Sequence, residues 1–293
     1  MFGDSRTKFD AGAGAWAAYN REPLGQIRQE VTWHNLAAYL PQVTTGGQPR
    51  RVLDAGGGSG ELAVRLARHG YQVWLVDSAE AMLAQAQQLA QSLPERDRAR
   101  LTFCPMPVDE AAGAFSAASF DAITCHTLIE YLPRPRNTLG KLAGLLRPGG
   151  LLSLSFVNYH AEVLRQVWGQ GGSEGALGES PGPAALAGAM DRLDPAAARA
   201  FHARLFDLPG RAYTAGQVSA WLADLGLSVT AQLGVRAFAD QICQQQGIER
   251  LDDPDFFQAL LRLEMAAANR SPYKLIARYV HLIAHQAEGT EDD

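Results

Sequence analysis

The stretch Arg51-Val-Leu-Asp-Ala-Gly-Gly-Gly-Ser-Gly60 decides the fold. A short apolar run enters a loop with glycines at 56, 57, 58 and 60, and a helical pattern, Glu61 to His69, follows at once. Glycine permits a tight turn and lets a ligand approach the backbone, and a helix N-terminus offers unpaired N–H groups. Strand, glycine loop, helix is therefore the opening unit of a nucleotide-type α/β fold.

Outward from this unit the alternation continues. Gln72 to Val76 reads as a second strand ending at Asp77, and Ser78 reads as the N-cap of a helix carrying Met82, Leu83 and Leu89. Leu101 to Cys104 and Phe120 to Cys125 read as strands. Asn137 to Leu146 reads as a helix stopped by Arg147-Pro-Gly-Gly150, and Leu151 to Phe156 as a fifth strand. Before the core, Gly25 to Leu40 has helical spacing, with Ile27, Val31, Leu36 and Leu40 facing inward. Thr214 is an N-cap for a helix through Leu225. Ser228 to Leu233 reads as a strand, Asp253 to Ala268 as a helix and Leu275 to Ala284 as a last strand. The expected fold is α/β and Rossmann-like, a mostly parallel seven-stranded sheet with helices on both faces. Residues 160–212 interrupt it. Gly169 to Gly188 is rich in Gly, Ala, Ser and Pro, and Pro195 to Leu205 reads as one Ala-rich helix. The chain is thus divided into an N-terminal helical segment (1–48), a ligand-binding core (49–159), a helical insertion or lid (160–212), the rest of the fold (213–286) and a disordered acidic tail (287–293).

Bulk properties restrict the function. The 293 residues are 47% hydrophobic and 19% charged, with net charge −5, so broad phosphate binding by a basic surface is not expected. Cys104, Cys125 and Cys243 suggest neither a disulfide framework nor a metal site. Neither a signal peptide nor a membrane span is visible, and a cytoplasmic location follows as the expectation.

The carboxylates around the loop select its ligand. Gly58-Ser-Gly60-Glu-Leu-Ala63 satisfies the loose dinucleotide pattern G-x-G-x-x-A, and Asp77 follows at a suitable distance, so a nicotinamide nucleotide has to be weighed. Asp54, however, heads the loop. A carboxylate there repels a pyrophosphate and attracts the sulfonium and ammonium of S-adenosylmethionine. Asp77 suits the ribose diol of either ligand.

Further motifs follow in order: Val108 with Asp109 after the third strand, Cys125-His-Thr-Leu-Ile-Glu-Tyr-Leu132, and Leu146-Arg-Pro-Gly-Gly-Leu151. This ordered set resembles the class I methyltransferases. The resemblance implies S-adenosylmethionine as cofactor and S-adenosylhomocysteine as product. It places Gly56, Gly57, Gly58, Asp77, Ser78 and Met82 around the cofactor, with Val108 and Asp109 flanking the adenine and His126 beside it. The flanks narrow it. Gly25-Gln-Ile-Arg-Gln29, Trp33, Phe156-Val-Asn158, Gly234-Val-Arg-Ala-Phe238, Leu261-Arg-Leu-Glu264 and Arg278-Tyr-Val-His281 together resemble the bacterial tRNA 5-carboxymethoxyuridine methyltransferases, from about Asn20 to about His285. That likeness implies that Arg28 holds the methionyl carboxylate and that the acceptor is the carboxylate of a modified wobble uridine.

A carboxylate, with a pKa near 4, is ionised at neutral pH and needs no general base, whereas a hydroxyl or amine acceptor does. No dedicated base is evident, although His126, His160 and Glu130 lie in or near the motifs. A carboxylate acceptor does need a cation to orient it. Arg236 is the candidate, with Asn158 and Tyr279 as further acceptor residues. Arg134, Arg136, Arg270, Tyr273 and Lys274 are candidates for an RNA surface. A small-molecule acceptor beneath the 160–212 segment, or a nucleotide-binding module without methyl transfer, are the competing readings.

Overall fold

The structure is a computed structural model and describes residues 5–45, 48–167 and 199–287. The expected Gly169–Gly188 segment and all but the first residue of the expected tail lie outside the described residues.

Two helices precede the sheet, α1 (Ser5–Arg21) and α2 (Pro23–Ala37). The core then runs β1 (Arg51–Ala55), α3 (Glu61–Arg68), β2 (Gln72–Asp77), α4 (Glu80–Ala90), β3 (Leu101–Pro105), β4 (Phe120–His126), α5 (Pro135–Ala143), β5 (Leu146–Val157) and α6 (Tyr159–Val167). A hairpin of β6 (Arg199–Ala203) and β7 (Leu208–Ala212) follows. The chain closes with α7 (Ala215–Asp224), β8 (Leu227–Val235), α8 (Ala239–Gln246), α9 (Pro254–Ala267) and β9 (Tyr279–Gln286). The sheet has seven strands in the order β8-β9-β5-β4-β1-β2-β3, and β9 runs antiparallel to both neighbours while the other pairs are parallel. This is the expected mostly parallel α/β sheet.

The central strands are apolar because helices cover both faces. Val52, Leu53, Ala122, Ile123, Leu152 and Leu154 are fully buried. On α4, Met82, Leu83, Ala86 and Ala90 turn inward at intervals of three and four residues. Ile27, Val31 and Leu36 of α2 are likewise buried, whereas Leu40 lies past the helix end and is half-buried. No helix among the described residues is long and apolar enough to cross a membrane.

Several elements differ from expectation. Residues 199–203, expected as the end of an Ala-rich helix, form a strand, because Phe201 and Ala203 pair with Gly210 and Leu208 of β7. Arg147-Pro-Gly-Gly150 does not merely follow a helix. Phe120 pairs with Leu146 and Ala122 with Leu151, so the four residues bulge out of β5. Ser78 is not an N-cap; Ala79 occupies that position, and Asp77 Oδ1 accepts its N–H at 2.9 Å. The last strand starts at Tyr279 because Tyr273–Ile276 forms a helical turn. Helix α8 has no counterpart in the sequence reading, whereas α1 falls within the helical segment expected over 1–48, without bounds of its own there.

Candidate active site

The C-terminal ends of β1, β2, β4 and β5 open into a cavity of about 840 Å³. This is where a doubly wound sheet places its ligand, outside the strand ends. Helix α1 and the β6–β7 hairpin close over it. Phe9 meets Tyr131 and Phe206 edge-on at 5.3 and 4.6 Å between ring centres, and Trp16 lies 5.5 Å from Phe206.

The glycine loop forms one wall. Gly56, Gly58 and Gly60 have φ of 71°, 53° and 82°, a backbone region that side chains disfavour. A Cβ on Gly57 would stand 2.6 Å from Leu75 Cγ and 2.7 Å from Asp54 Oδ2, so no side chain fits. At Gly58 the nearest atoms to a Cβ are Trp16 Nε1 at 3.7 Å and Met82 Sδ at 4.0 Å, which leaves open space above the loop.

Asp54 is 3% exposed. Its Oδ1 accepts from Thr124 Oγ1 at 2.7 Å, while its Oδ2 is buried without a partner among the described residues. Burial pushes its carboxyl up to about 7, against the lowering by Thr124. A buried, half-satisfied carboxylate beside an open glycine cradle fits a cationic ligand. Asp77 Oδ2 accepts from Gly58 N–H at 2.9 Å, so the acid at the end of β2 also braces the loop. Asn20 of α1 spans Ser59 Oγ and Glu61 Oε1, and it accepts from Arg28 Nη2 at 2.7 Å. The Arg28 guanidinium stacks 4.6 Å above Trp16.

At the β5–β8–β9 side the charge reverses. Arg165, Arg236 and Arg278 line the cavity together with Glu162, Asp240 and Tyr279. Arg278 Nη1 donates to Glu162 Oε2 at 2.7 Å, and Arg165 lies 3.7 Å from Asp240 and 3.9 Å from Glu162. Arg236 engages Asp240 through Nε at 3.1 Å and through Nη2, and Tyr19 Oη through Nη1 at 2.6 Å. Burial works against the Asp240 carboxylate, yet Arg236, Arg278 and Arg165 hold it below the ordinary carboxylate range. With Arg28 the group holds four guanidiniums against two carboxylates, a surplus of two positive charges among the described residues. The cavity is therefore polarised, acidic at the glycine loop and cationic across from it.

Most expected residues come together here. Arg28, Asp54, Gly56, Gly57, Gly58, Asp77, Ser78, Met82, Val108, Asp109, His126, Arg236 and Tyr279 all line the cavity. Asp109 is partly committed elsewhere, since its Oδ1 accepts from Thr138 Oγ1 at 2.6 Å. Asn158 does not line it. Its Nδ2 donates to the carbonyls of Leu275 and Ala277 at 2.9 and 2.8 Å and its Oδ1 accepts from His160 N–H, so it ties β5 to the start of β9. Arg236 is present, but three of its five N–H donors are already taken, so a free fork for an acceptor is not what it offers. Neither His160 nor the Glu130 carboxylate reaches the cavity; Glu130 is fully buried and accepts from Val157 N–H at 2.7 Å. The expected RNA residues fall on two separate elements, Arg134 and Arg136 at the start of α5 and the other three between α9 and β9.

Sequence reasoning missed Trp16, Tyr19, Glu162, Arg165, Asp240 and Arg278. Available signals were the i,i+4 spacing of Arg236 with Asp240, the i,i+3 spacing of Glu162 with Arg165, and the place of Arg278 beside Tyr279.

Residues 53–152 match the family model of a methyltransferase domain. The chain is 29% identical over 267 residues to the tRNA 5-carboxymethoxyuridine methyltransferase of Escherichia coli K12, covering 91% of each chain. Two solved structures share the fold. One is a Haloferax volcanii methyltransferase in complex with the activator Trm112, with a TM-score of 0.58 and 18% identity, over 98% of this chain and 100% of that one. The other is the Burkholderia thailandensis 1,6-didemethyltoxoflavin-N1-methyltransferase with bound S-adenosylhomocysteine, with a TM-score of 0.54 and 17% identity, over 97% of this chain and 87% of that one.

Proposed function

Since this chain is an S-adenosylmethionine-dependent methyltransferase, we propose that its acceptor is a carboxylate, that of 5-carboxymethoxyuridine at the wobble position of tRNA, and that it acts in the cytoplasm. The observation that carries the acceptor class is the polarised cavity. Asp54 and Asp77 line the side that meets a cation, and Arg165, Arg236 and Arg278 line the side that meets an anion. The 29% identity across 91% of a tRNA methyltransferase supports the identity of that anion.

Each residue has a role on this reading. Asp77 accepts the ribose hydroxyls, and the backbone of Gly56, Gly57 and Gly58 lies against the cofactor. Arg28 takes the methionyl carboxylate. Asp54 favours the positive charges, and Ser78, Met82, Val108 and Asp109 surround the adenosine. Bound S-adenosylmethionine supplies a methyl group already activated by the positive sulfur. An acceptor carboxylate oxygen forms the new bond to the methyl carbon, the carbon–sulfur pair returns to sulfur, and no proton moves. The protein mainly aligns the two partners, an effect that reaches about 7 kcal/mol or more in well-oriented systems.

The arginine cluster suits such a nucleophile because its guanidiniums are already paired. A bidentate clamp would draw electron density from the attacking oxygen. With Arg28 given to the methionyl carboxylate, the surplus charge left over Arg165, Arg236 and Arg278 attracts the anion without locking both its oxygens. Tyr279, under the guanidiniums of Arg236 and Arg278 at 5.9 and 5.7 Å, shapes that side.

The test is direct. Purified protein with S-adenosylmethionine and tRNA bearing the free acid is expected to give the methyl ester on nucleoside mass spectrometry. No transfer to that tRNA overturns the assignment. The closure of α1 and the hairpin over the cavity favours a second reading, a small acceptor, and transfer to the free nucleoside acid but not to tRNA would select it.

A further inference from the structure

His126, at the end of β4, lines the cavity, yet its ring is tied into the sheet. Its Nε2 lies 2.8 Å from Ser153 Oγ on β5, and the same oxygen lies 2.7 Å from Nε2 of His281 on β9. Ser153 and His281 are fully buried, and the two rings meet edge-on at 5.1 Å. Among the described residues His281 Nδ1 is buried without a partner. Three residues on three adjacent strands thus form one hydrogen-bonded line ending at the cavity.

That unpartnered nitrogen fixes the direction of the line. Ser153 Oγ is fully buried and has no third partner among the described residues, so its one proton goes to one ring nitrogen and the other ring donates to it. If His281 accepted from Ser153, its own proton would sit on Nδ1 as a buried N–H with no acceptor, which costs the full desolvation of that donor. With the proton on His281 Nε2, that N–H donates to Ser153 Oγ and Nδ1 is only a bare lone pair. Ser153 then donates to His126 Nε2. The proton of His126 is left on Nδ1, the nitrogen the line does not use. His126 stays neutral: burial, then His281 and the Arg28 guanidinium, hold its pKa well below the ordinary histidine range.

We infer that Ser153 and His281 are positioning residues that hold His126 as a neutral Nδ1–H donor, so that the cavity meets a hydrogen-bond donor and no base, and only an acceptor that arrives ionised is methylated. This rests on the carboxylate reading and deepens it. A hydroxyl acceptor would need a proton removed, and this ring has no lone pair to offer it. A carboxylate needs none removed and gains a donor on one oxygen. It also extends the assignment to two residues, Ser153 and His281, that touch neither partner.

The experiment is long-range proton–nitrogen NMR of ¹⁵N-histidine-labelled full-length protein saturated with S-adenosylhomocysteine, across about pH 5.5 to about 8.5, where a free histidine titrates. His126 is identified by the signal lost in His126→Gln. The expected spectrum shows a protonated Nδ1, a bare Nε2 and no titration. A protonated Nε2, or titration near neutrality, overturns the inference. In Ser153→Ala, the fixed tautomer is expected to be lost and the KM for the acceptor to rise about tenfold, with S-adenosylhomocysteine affinity within about twofold of the unaltered protein. Ser153→Thr, which keeps the hydroxyl, is expected to restore the tautomer. A serine that only fills space would leave the ring's tautomer unchanged in Ser153→Ala, and that result also overturns the inference. Should Ser153→Ala not fold, the spectrum of the unaltered protein still decides. No acceptor is needed for that spectrum, so it fails or holds independently of whether tRNA is methylated.

Discussion

Asp54 answers to two states of the protein. Buried with one oxygen unsatisfied, its folded-state pKa is raised to about 7, whereas the unfolded chain holds it near 4. The folded state therefore keeps a proton that the unfolded state has lost, and stability falls as pH rises from about 4 to about 7. Glu130, raised to about 7 by burial, adds to the same slope. Cofactor-free protein is expected to melt at a lower temperature at pH 7.5 than at pH 5.5, and Asp54→Asn to reduce that difference, leaving the share of Glu130; calorimetry at the two pH values checks it. A cationic ligand favours the ionised form, so S-adenosylmethionine, with its positive sulfur, is expected to bind up to about tenfold more tightly at pH 8 than at pH 6, with the gain absent in Asp54→Asn by titration calorimetry. On the cationic side, Arg165→Gln is expected to raise the acceptor KM about tenfold, ~1.4 kcal/mol, while leaving S-adenosylhomocysteine binding within about twofold. Equal loss of both affinities would mean that Arg165 only supports the fold.

Elements set these residues in place through a few buried polar contacts. Glu264 on α9 is 1% exposed, and its carboxylate accepts the N–H groups of Ala237, Phe238 and Ala239 at 2.6, 2.9 and 2.7 Å. It thereby holds the turn in which Arg236 adopts φ of 62°. Glu264→Ala strands three donors and is expected to cost about 3 kcal/mol in urea unfolding, with Arg236 displaced. Asn158→Ala frees the β5–β9 junction and is expected to cost about 2 kcal/mol without changing cofactor affinity. Contacts of this kind are why the sequence shows the scaffold better than the site. Buried strands such as Phe120–Cys125 and inward stripes such as Met82, Leu83 and Ala86 repeat with a period that can be read. Lone polar residues inside apolar runs, such as Ser153 and His281, repeat with nothing. The bounds of helix α1 were not legible because Ala11-Gly-Ala-Gly-Ala15 lacks an apolar stripe and its two glycines weaken helix propensity; its aromatic contacts across the cavity hold it. Residues 199–203 have helical composition but extended structure, because pairing with β7 overrides propensity. Asp54 and Asp77 were legible because each has a fixed offset from the glycine loop, whereas Arg28 was reached only through the family resemblance of its flank. Arg165 and Arg278 reach the cavity only once α6 and β9 are folded against it.

At the scale of the whole molecule, the first described helix and a hairpin some 190 residues later meet over the same ligand space. Trp16, Tyr19 and Asn20 all come from α1, so cofactor binding and α1 docking are expected to be coupled. Saturating S-adenosylhomocysteine, at about 100 times its Kd, adds about 2.7 kcal/mol of stability. That corresponds to a rise of roughly 5–10 °C in Tm for a chain of this size, and the rise is expected to vanish in a variant lacking residues 1–21. A full rise in the truncated protein would show that α1 plays no part in cofactor binding. The surplus of positive charge on the acceptor side has a last consequence. Esterification turns an anion into a neutral group, so the arginines that draw the acid in have little hold on what they help to make. Reaction itself would loosen the product, and the direction of traffic through the enzyme would be set by the chemistry rather than by a separate release step.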